Sequence, residues 1–167
     1  SEKARKYLEN KILGLGSPKI DKVLHADRTD LRLPESWKRI IEKPGGGFKK
    51  VLFYNTGIHA LIENNKKMLE KIEAVLKFMK ERQHEVALLW RPHPLICTTM
   101  QSLRPQLLEA YEKIVAGYKK ENWGIYDDTA DLHRALRLCD GYYGDASSVV
   151  QLCEKAGKAV MIQDPEM

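Results

Sequence analysis

The chain has 167 residues, with 28 basic and 23 acidic side chains and a formal net charge of +5. That length makes one domain, large enough to bury a core without covalent staples. An apolar fraction of 43% with 31% charged residues excludes a disordered or fibrous chain, and no apolar run approaches the roughly 18 residues of a membrane span.

The first residues do not read as a signal peptide. Cys97, Cys139 and Cys153 are too scattered for a disulfide framework or a zinc site, which points to a reducing compartment and no metal. The charge is uneven. Residues 1–50 hold 13 basic and 7 acidic side chains, whereas residues 51–167 hold 15 and 16. With no long basic run and no interleaved aromatic ladder, the surplus does not call for nucleic acid as a partner.

In chain order, residues 3–13 read as a helix, residues 14–18 as a turn, and residues 33–40 as a short helix beginning near Pro34. Lys43, Pro44 and the glycines 45–47 read as a flexible loop. A glycine fingerprint for a dinucleotide would follow a strand, whereas this one precedes it. Val51, Leu52, Phe53 and Tyr54 form the first strand. Residues 60–83 repeat Met68, Ile72, Val75, Leu76 and Met79 at helical spacing. Residues 86–90 are apolar throughout, as a strand covered on both faces requires.

A helix over residues 105–120 carries Leu108, Tyr111, Ile114, Val115 and Tyr118 on one side. A strand over residues 124–126 follows, then a helix over residues 130–138 with Leu132, Ala135, Leu136 and Cys139 inward. A strand over residues 141–144, a helix over residues 147–156 ended by Gly157, and a strand over residues 158–162 complete the chain. Strictly alternating strands and helices imply right-handed crossovers and a doubly wound α/β sheet of about five or six parallel strands. Residues 1–47 are a separate N-terminal segment and residues 48–167 the α/β domain.

In such sheets ligands lie beyond the carboxyl ends of the strands. After the first strand, Asn55 and Thr56 offer polar groups to a substrate; nearby His59 either lines that space or caps the helix. After the second, Pro92 and Pro94 fix the backbone around Arg91 and His93. These two either meet a phosphate or carboxylate, or form a rigid turn whose arginine pairs with a surface acid. After the third, the favoured reading is that Thr129 or Asp131 of the Asp127–Asp131 run caps a helix; the functional alternative is that one carboxylate among Asp127, Asp128 and Asp131 receives a ribose hydroxyl. After the fourth, Gly144, Asp145, Ser147 and Ser148 lead into a helix. One of them is an ordinary cap; the run as a whole also makes an anion site at a helix N-terminus. His25, His84 and His133 read as surface or capping residues, and Trp37, Trp90 and Trp123 as packing.

Five stretches stand in a fixed order: residues 16–21 (Gly-Ser-Pro-Lys-Ile-Asp), 91–94 (Arg-Pro-His-Pro), 126–132 (Tyr-Asp-Asp-Thr-Ala-Asp-Leu), 140–148 and 157–161. Together they resemble the C-terminal half of the CDP-glycerol:poly(glycerophosphate) glycerophosphotransferase family, the bacterial teichoic-acid polymerases with a two-domain GT-B architecture. The resemblance implies a three-layer α/β/α Rossmann-like fold and the donor half of a longer chain whose N-terminal half holds the catalytic base.

It places His93, Ser147 and Ser148, with Arg91, Gly144 and Asp145 nearby, on the donor pyrophosphate. Thr129, Asp131 and Asp128 fall near the nucleoside. Ser17, Lys19 and Asp21, with Asn55 and Thr56, fall in the interdomain cleft. It further implies a cytidine diphosphate-linked donor, no separate cofactor, a cytoplasmic protein peripheral at the inner membrane face, and an anionic polymer or membrane surface as a further partner. The family often has arginine where this chain has Lys19, and an aromatic residue where it has Ala146, so the donor stays open among CDP-glycerol, CDP-ribitol and a sugar nucleotide. Two other readings are a sugar-nucleotide epimerase, which needs a carboxylate pair of the kind that Asp127, Asp128 and Asp131 mimic, and a non-catalytic nucleotide-binding module with a flavodoxin-like sheet.

Overall fold

A computed structural model describes residues 31–164. The helix expected over residues 3–13, the turn after it, His25 and the cleft residues Ser17, Lys19 and Asp21 lie outside the described residues. In order the elements are α1 (Glu35–Ile41), β1 (Lys50–Thr56), α2 (Ile58–Glu81), β2 (Val86–Pro92), α3 (Ile96–Leu103), α4 (Pro105–Glu121), β3 (Ile125–Tyr126), α5 (Leu132–Leu138), β4 (Gly141–Gly144), α6 (Ser148–Lys155) and β5 (Ala159–Ile162).

The five strands form one sheet in the order β3-β2-β1-β4-β5, and every pair is parallel. This is the Rossmann-like, three-layer architecture that the alternation predicts. The chain grows outward from β1 to β3 on one side, then crosses to lay β4 and β5 on the other. The switch point therefore falls between β1 and β4.

Period-two alternation splits the central strands between two cores. Val51, Phe53, Ala87 and Leu89 face α1, α5 and α6, where Trp37, Leu136 and Cys153 pack. Tyr54, Leu88 and Trp90 face α2, α3 and α4, where Met68, Ile72, Met100 and Tyr111 pack. Trp90 is the hub of the second core. It meets Tyr118 and Tyr126 edge to face at centroid separations of 5.4 and 5.3 Å, a geometry that suits aromatic quadrupoles.

Several boundaries differ from the sequence reading. Both central strands run two residues past their apolar stretches, β1 through Asn55 and Thr56 and β2 through Arg91 and Pro92, because ladder pairing to a neighbour does not require an apolar side chain. α2 is interrupted at Asn65, whose φ of 48° and ψ of −121° lie outside the helical region. The helix α3 was not expected at all. His59 does not cap α2: Gly57 occupies the cap position, and His59 Nδ1 sits 3.3 Å from Glu63 Oε1. The glycine loop is not loose either. Lys43 donates to the Gly47 carbonyl at 3.0 Å and Gly46 to the Lys43 carbonyl at 2.9 Å, with Gly46 and Gly47 both in the left-handed region that favours glycine.

On the α2 side, β4 and β5 carry a groove of about 570 Å³ lined by Leu52, Val75, Phe78, Tyr143, Val160 and Met161. Met161 and Phe78 are 66% and 54% exposed there. Among the described residues no helix is long and apolar enough to cross a membrane.

Candidate functional site

The carboxyl edge of the sheet divides into two corners. The first lies at the switch point. Gly144 is paired with Asn55, and a Cβ on Gly144 would stand 2.1 Å from the Asn55 carbonyl oxygen. Only glycine permits this approach, and it brings the next residue, Asp145, against the end of β1. The Gly57 backbone N–H donates to Asp145 Oδ2 in a short hydrogen bond. Gln163 Nε2 donates to Asp145 Oδ1 at 2.6 Å, and Tyr54 donates its hydroxyl proton to Gln163 Oε1 at 3.2 Å.

Asn55 Nδ2 donates to the Tyr142 hydroxyl at 3.1 Å and reaches Ser147 Oγ at 3.3 Å; Tyr142 donates onward to the Asp145 carbonyl at 2.6 Å. Burial pushes the Asp145 carboxyl above its ordinary value, against the lowering effect of the Gly57 and Gln163 donors. This corner satisfies its own polar groups. Thr56 is also committed, accepting the Trp90 indole N–H at 3.1 Å.

The second corner joins the ends of β2 and β3. Arg91 and Asp127 are buried, 7% and 0% exposed, and pair through Nη1 and Oδ2 at 2.6 Å. Asp127 Oδ1 also accepts the Thr129 backbone N–H at 3.1 Å and its hydroxyl at 2.6 Å. A second guanidinium approaches the same carboxylate: Arg134 Nη2 lies 3.8 Å from Asp127 Oδ1 and 2.9 Å from the Thr129 hydroxyl. Arg134 also stacks over Trp37, 4.4 Å from the ring centre. Arg91 does pair with an acid, and that acid is buried where the sequence reading had a surface one.

Above this network is a cleft of about 210 Å³ lined by Arg91, His93, Tyr126, Asp127, Asp128 and Thr129, among others. His93 is exposed and its Nδ1 accepts the Leu95 backbone N–H at 3.2 Å. The neutral ring then carries its proton on Nε2. Pro92 and Pro94 hold the turn, and the His93 backbone N–H is tied to the Thr56 carbonyl at 2.9 Å.

The helix-entry residues resolve as follows. Asp131 is the cap of α5, accepting the Arg134 backbone N–H. Ser147 caps α6, its Oγ accepting the Val149 N–H at 3.3 Å. Ser147 and Ser148 are both exposed. Asp128 is drawn to Lys119 at 3.0 Å. The structure thus joins Arg91, His93, Asp128 and Thr129 in one cleft, and Asn55, Gly144, Asp145 and Ser147 in the other corner. Arg134 and Gln163 are the residues that sequence reasoning did not assign to a site, and for Asp127 it named a ribose hydroxyl or an epimerase carboxylate pair but not the ion pair with Arg91. Asp127 stood in the right loop, but its partner was 36 positions away; Gln163 follows the last strand, where a strand-end rule could have found it.

Among the described residues no group of three or more His, Cys, Asp or Glu side chains is placed to hold a metal. Set against known proteins, the chain matches no protein-family model, and no curated protein is significantly similar to it.

Proposed function

We propose that the chain is the donor-binding domain of a nucleotide-diphosphate-dependent transferase. In the form that the five motif stretches favour, it resembles the teichoic-acid glycerophosphotransferases and passes glycerol phosphate from a CDP-linked donor to a polymer hydroxyl. The observation that carries the reading is the convergence of the Arg91–Pro94 turn and the Asp127–Thr129 loop on one cleft, where two guanidiniums share a single buried carboxylate. The network keeps a surplus positive charge beneath the cleft, and fixed positive charge favours a leaving nucleotide phosphate.

Above that charge, His93 presents Nε2 as a donor. In the neighbouring corner the exposed hydroxyls of Ser147 and Ser148 stand at the N-terminus of α6, where the helix dipole favours the far end of an anionic donor. Asp128 and Thr129 are the candidates for the ribose hydroxyls. No metal is needed in this reading. The acceptor-binding partner domain supplies the base, and the protein works in the cytoplasm against the inner face of a membrane.

Isothermal titration with CDP-glycerol, CDP and UDP tests the assignment. We expect heat from a cytidine diphosphate, no turnover by the chain alone, and about tenfold weaker binding in His93→Ala, the loss of one charge-assisted contact. Well-folded protein that gives no heat with any of the three removes the donor-site reading. The epimerase reading is disfavoured because its three carboxylates are separately engaged: Asp127 by Arg91, Asp128 by Lys119 and Asp131 by the start of α5.

A further inference from the structure

The turn before β1 lies at the amino edge of the sheet, opposite the proposed nucleotide cleft, at the end of a basic stretch. Residues 31–50 hold six basic and two acidic side chains. Within them the turn between α1 and β1 is exposed at every position from residue 42 to residue 48, and at its end Phe48 is 55% exposed. The turn is held out as a rigid feature: Glu42 and Phe48 form an antiparallel bridge, and Lys49 donates to the Ile41 carbonyl at 2.7 Å. Behind it lies a slot of about 330 Å³ lined by Leu31, Leu33, Ile41, Phe48, Val51 and Lys49, among others.

Lys38 and Lys49 line the same slot as Phe48, and Lys43 and Lys50 lie within five residues of it along the chain. Lys38 is held by Glu35 at 2.6 Å and Lys50 is loosely drawn to Asp140 at 3.4 Å. Lys43 and Lys49 have no ion-pair partner among the described residues.

We propose that the Lys43–Lys50 turn docks the protein on a bilayer surface containing anionic lipid, with Phe48 entering the interface and Lys43, Lys49 and Lys50 meeting the headgroups. A scattered exposed apolar residue needs no explanation. A phenyl ring on a rigid turn whose chain neighbours include Lys43, Lys49 and Lys50 is a different case, because stable interfacial binding takes an apolar and an electrostatic signal together. Lysine stems reach along apolar surface while their ammonium groups stay in water. A soluble anionic polymer would use the lysines and leave Phe48 idle, so the ring selects the membrane.

The proposal deepens the inner-membrane placement in the reading above and does not depend on the donor cleft. Docking through the amino edge leaves the carboxyl edge in solvent, so the two are read separately.

The test is co-sedimentation of the full chain with phosphatidylcholine vesicles, with and without phosphatidylglycerol, at low and high salt. Phosphatidylglycerol should raise partitioning, and salt should reverse it. Each lysine near an anionic surface contributes a factor of about five, so Lys43→Glu with Lys49→Glu should weaken binding by at least about 25-fold. Phe48→Ser should weaken it about tenfold through lost apolar burial. All these residues are exposed or at the rim, and thermal melts and the CDP titration on the same variants should be unchanged. Lack of phosphatidylglycerol-dependent binding overturns the proposal. So does binding that the variants leave intact, or binding to soluble polyphosphate that matches the vesicles and ignores Phe48→Ser.

Discussion

The two corners of the carboxyl edge are made from similar residue types and end in opposite conditions. At the switch point between β1 and β4, where a doubly wound sheet ordinarily receives its ligand, Asn55, Tyr142, Asp145 and Gln163 use their hydrogen-bonding capacity on one another. At the β2–β3 corner the buried groups are also paired, but two arginines share one aspartate and an exposed histidine stands over the cleft. A polar strand end is therefore not by itself a binding group. What separates the corners is whether donors and charge are left over once the fold has satisfied itself.

Mutations can break this contrast or sharpen it. The largest effect is expected from Gly144→Ala. Its Cβ would meet the Asn55 carbonyl at 2.1 Å, and since both atoms belong to paired strands neither can yield. A loss of about 4 kcal/mol or more is expected, read as failure to give a cooperative melt. Next is Arg91→Ala, which leaves Asp127 charged, wholly buried and short of its main partner. Removing one member of a buried pair costs about 3–5 kcal/mol, measurable by urea denaturation. If Arg91→Ala were nearly neutral in stability, the buried pair with Asp127 would not be what holds this corner together.

Asp145→Asn is expected to be milder. It keeps the volume, but one face of the amide must oppose a donor, Gly57 or Gln163, at a cost of about 2 kcal/mol. Its pH dependence has a definite sign. The folded-state carboxyl is raised from its ordinary value of 3.8, so the native state takes up a proton before the unfolded state does. Wild-type stability therefore rises, relative to the Asn variant, as pH falls through the folded pKa toward that ordinary value. Melting both proteins between about pH 7 and pH 4 checks it, and a gap that narrows on acidification contradicts the assignment. The smallest effect on the fold belongs to His93→Ala. An exposed side chain with one local hydrogen bond should change stability by no more than about 0.5 kcal/mol, while nucleotide binding falls. Equal loss of both would make His93 a structural turn residue.

Much of this molecule was legible beforehand for a local reason. Apolar runs of strand length, helical spacing in residues 68–79 and the turn residues between them depend on near neighbours, so the alternation, the parallel sheet and the burial of Trp37, Trp90 and Trp123 could be read directly. The caps at Asp131 and Ser147 were local too. Less legible were the polar strand ends, the break at Asn65 and the helix α3, because those are settled by distant partners: Arg104 Nε, for one, donates to Asn65 Oδ1 at 2.9 Å from 39 positions away.

The sequence by itself determined the fold class, the edge of the sheet on which polar groups collect, and the concentration of positive charge ahead of the first strand. Each follows from periodicity, composition or order along the chain. Only the tertiary structure decided that Arg91 is spent on Asp127, that the switch-point corner is closed by Asp145 and Gln163, and that His93 and Thr129 share a cleft. Those outcomes depend on which long-range partners reach each buried polar group, and burial makes an unpaired group too costly to leave to chance.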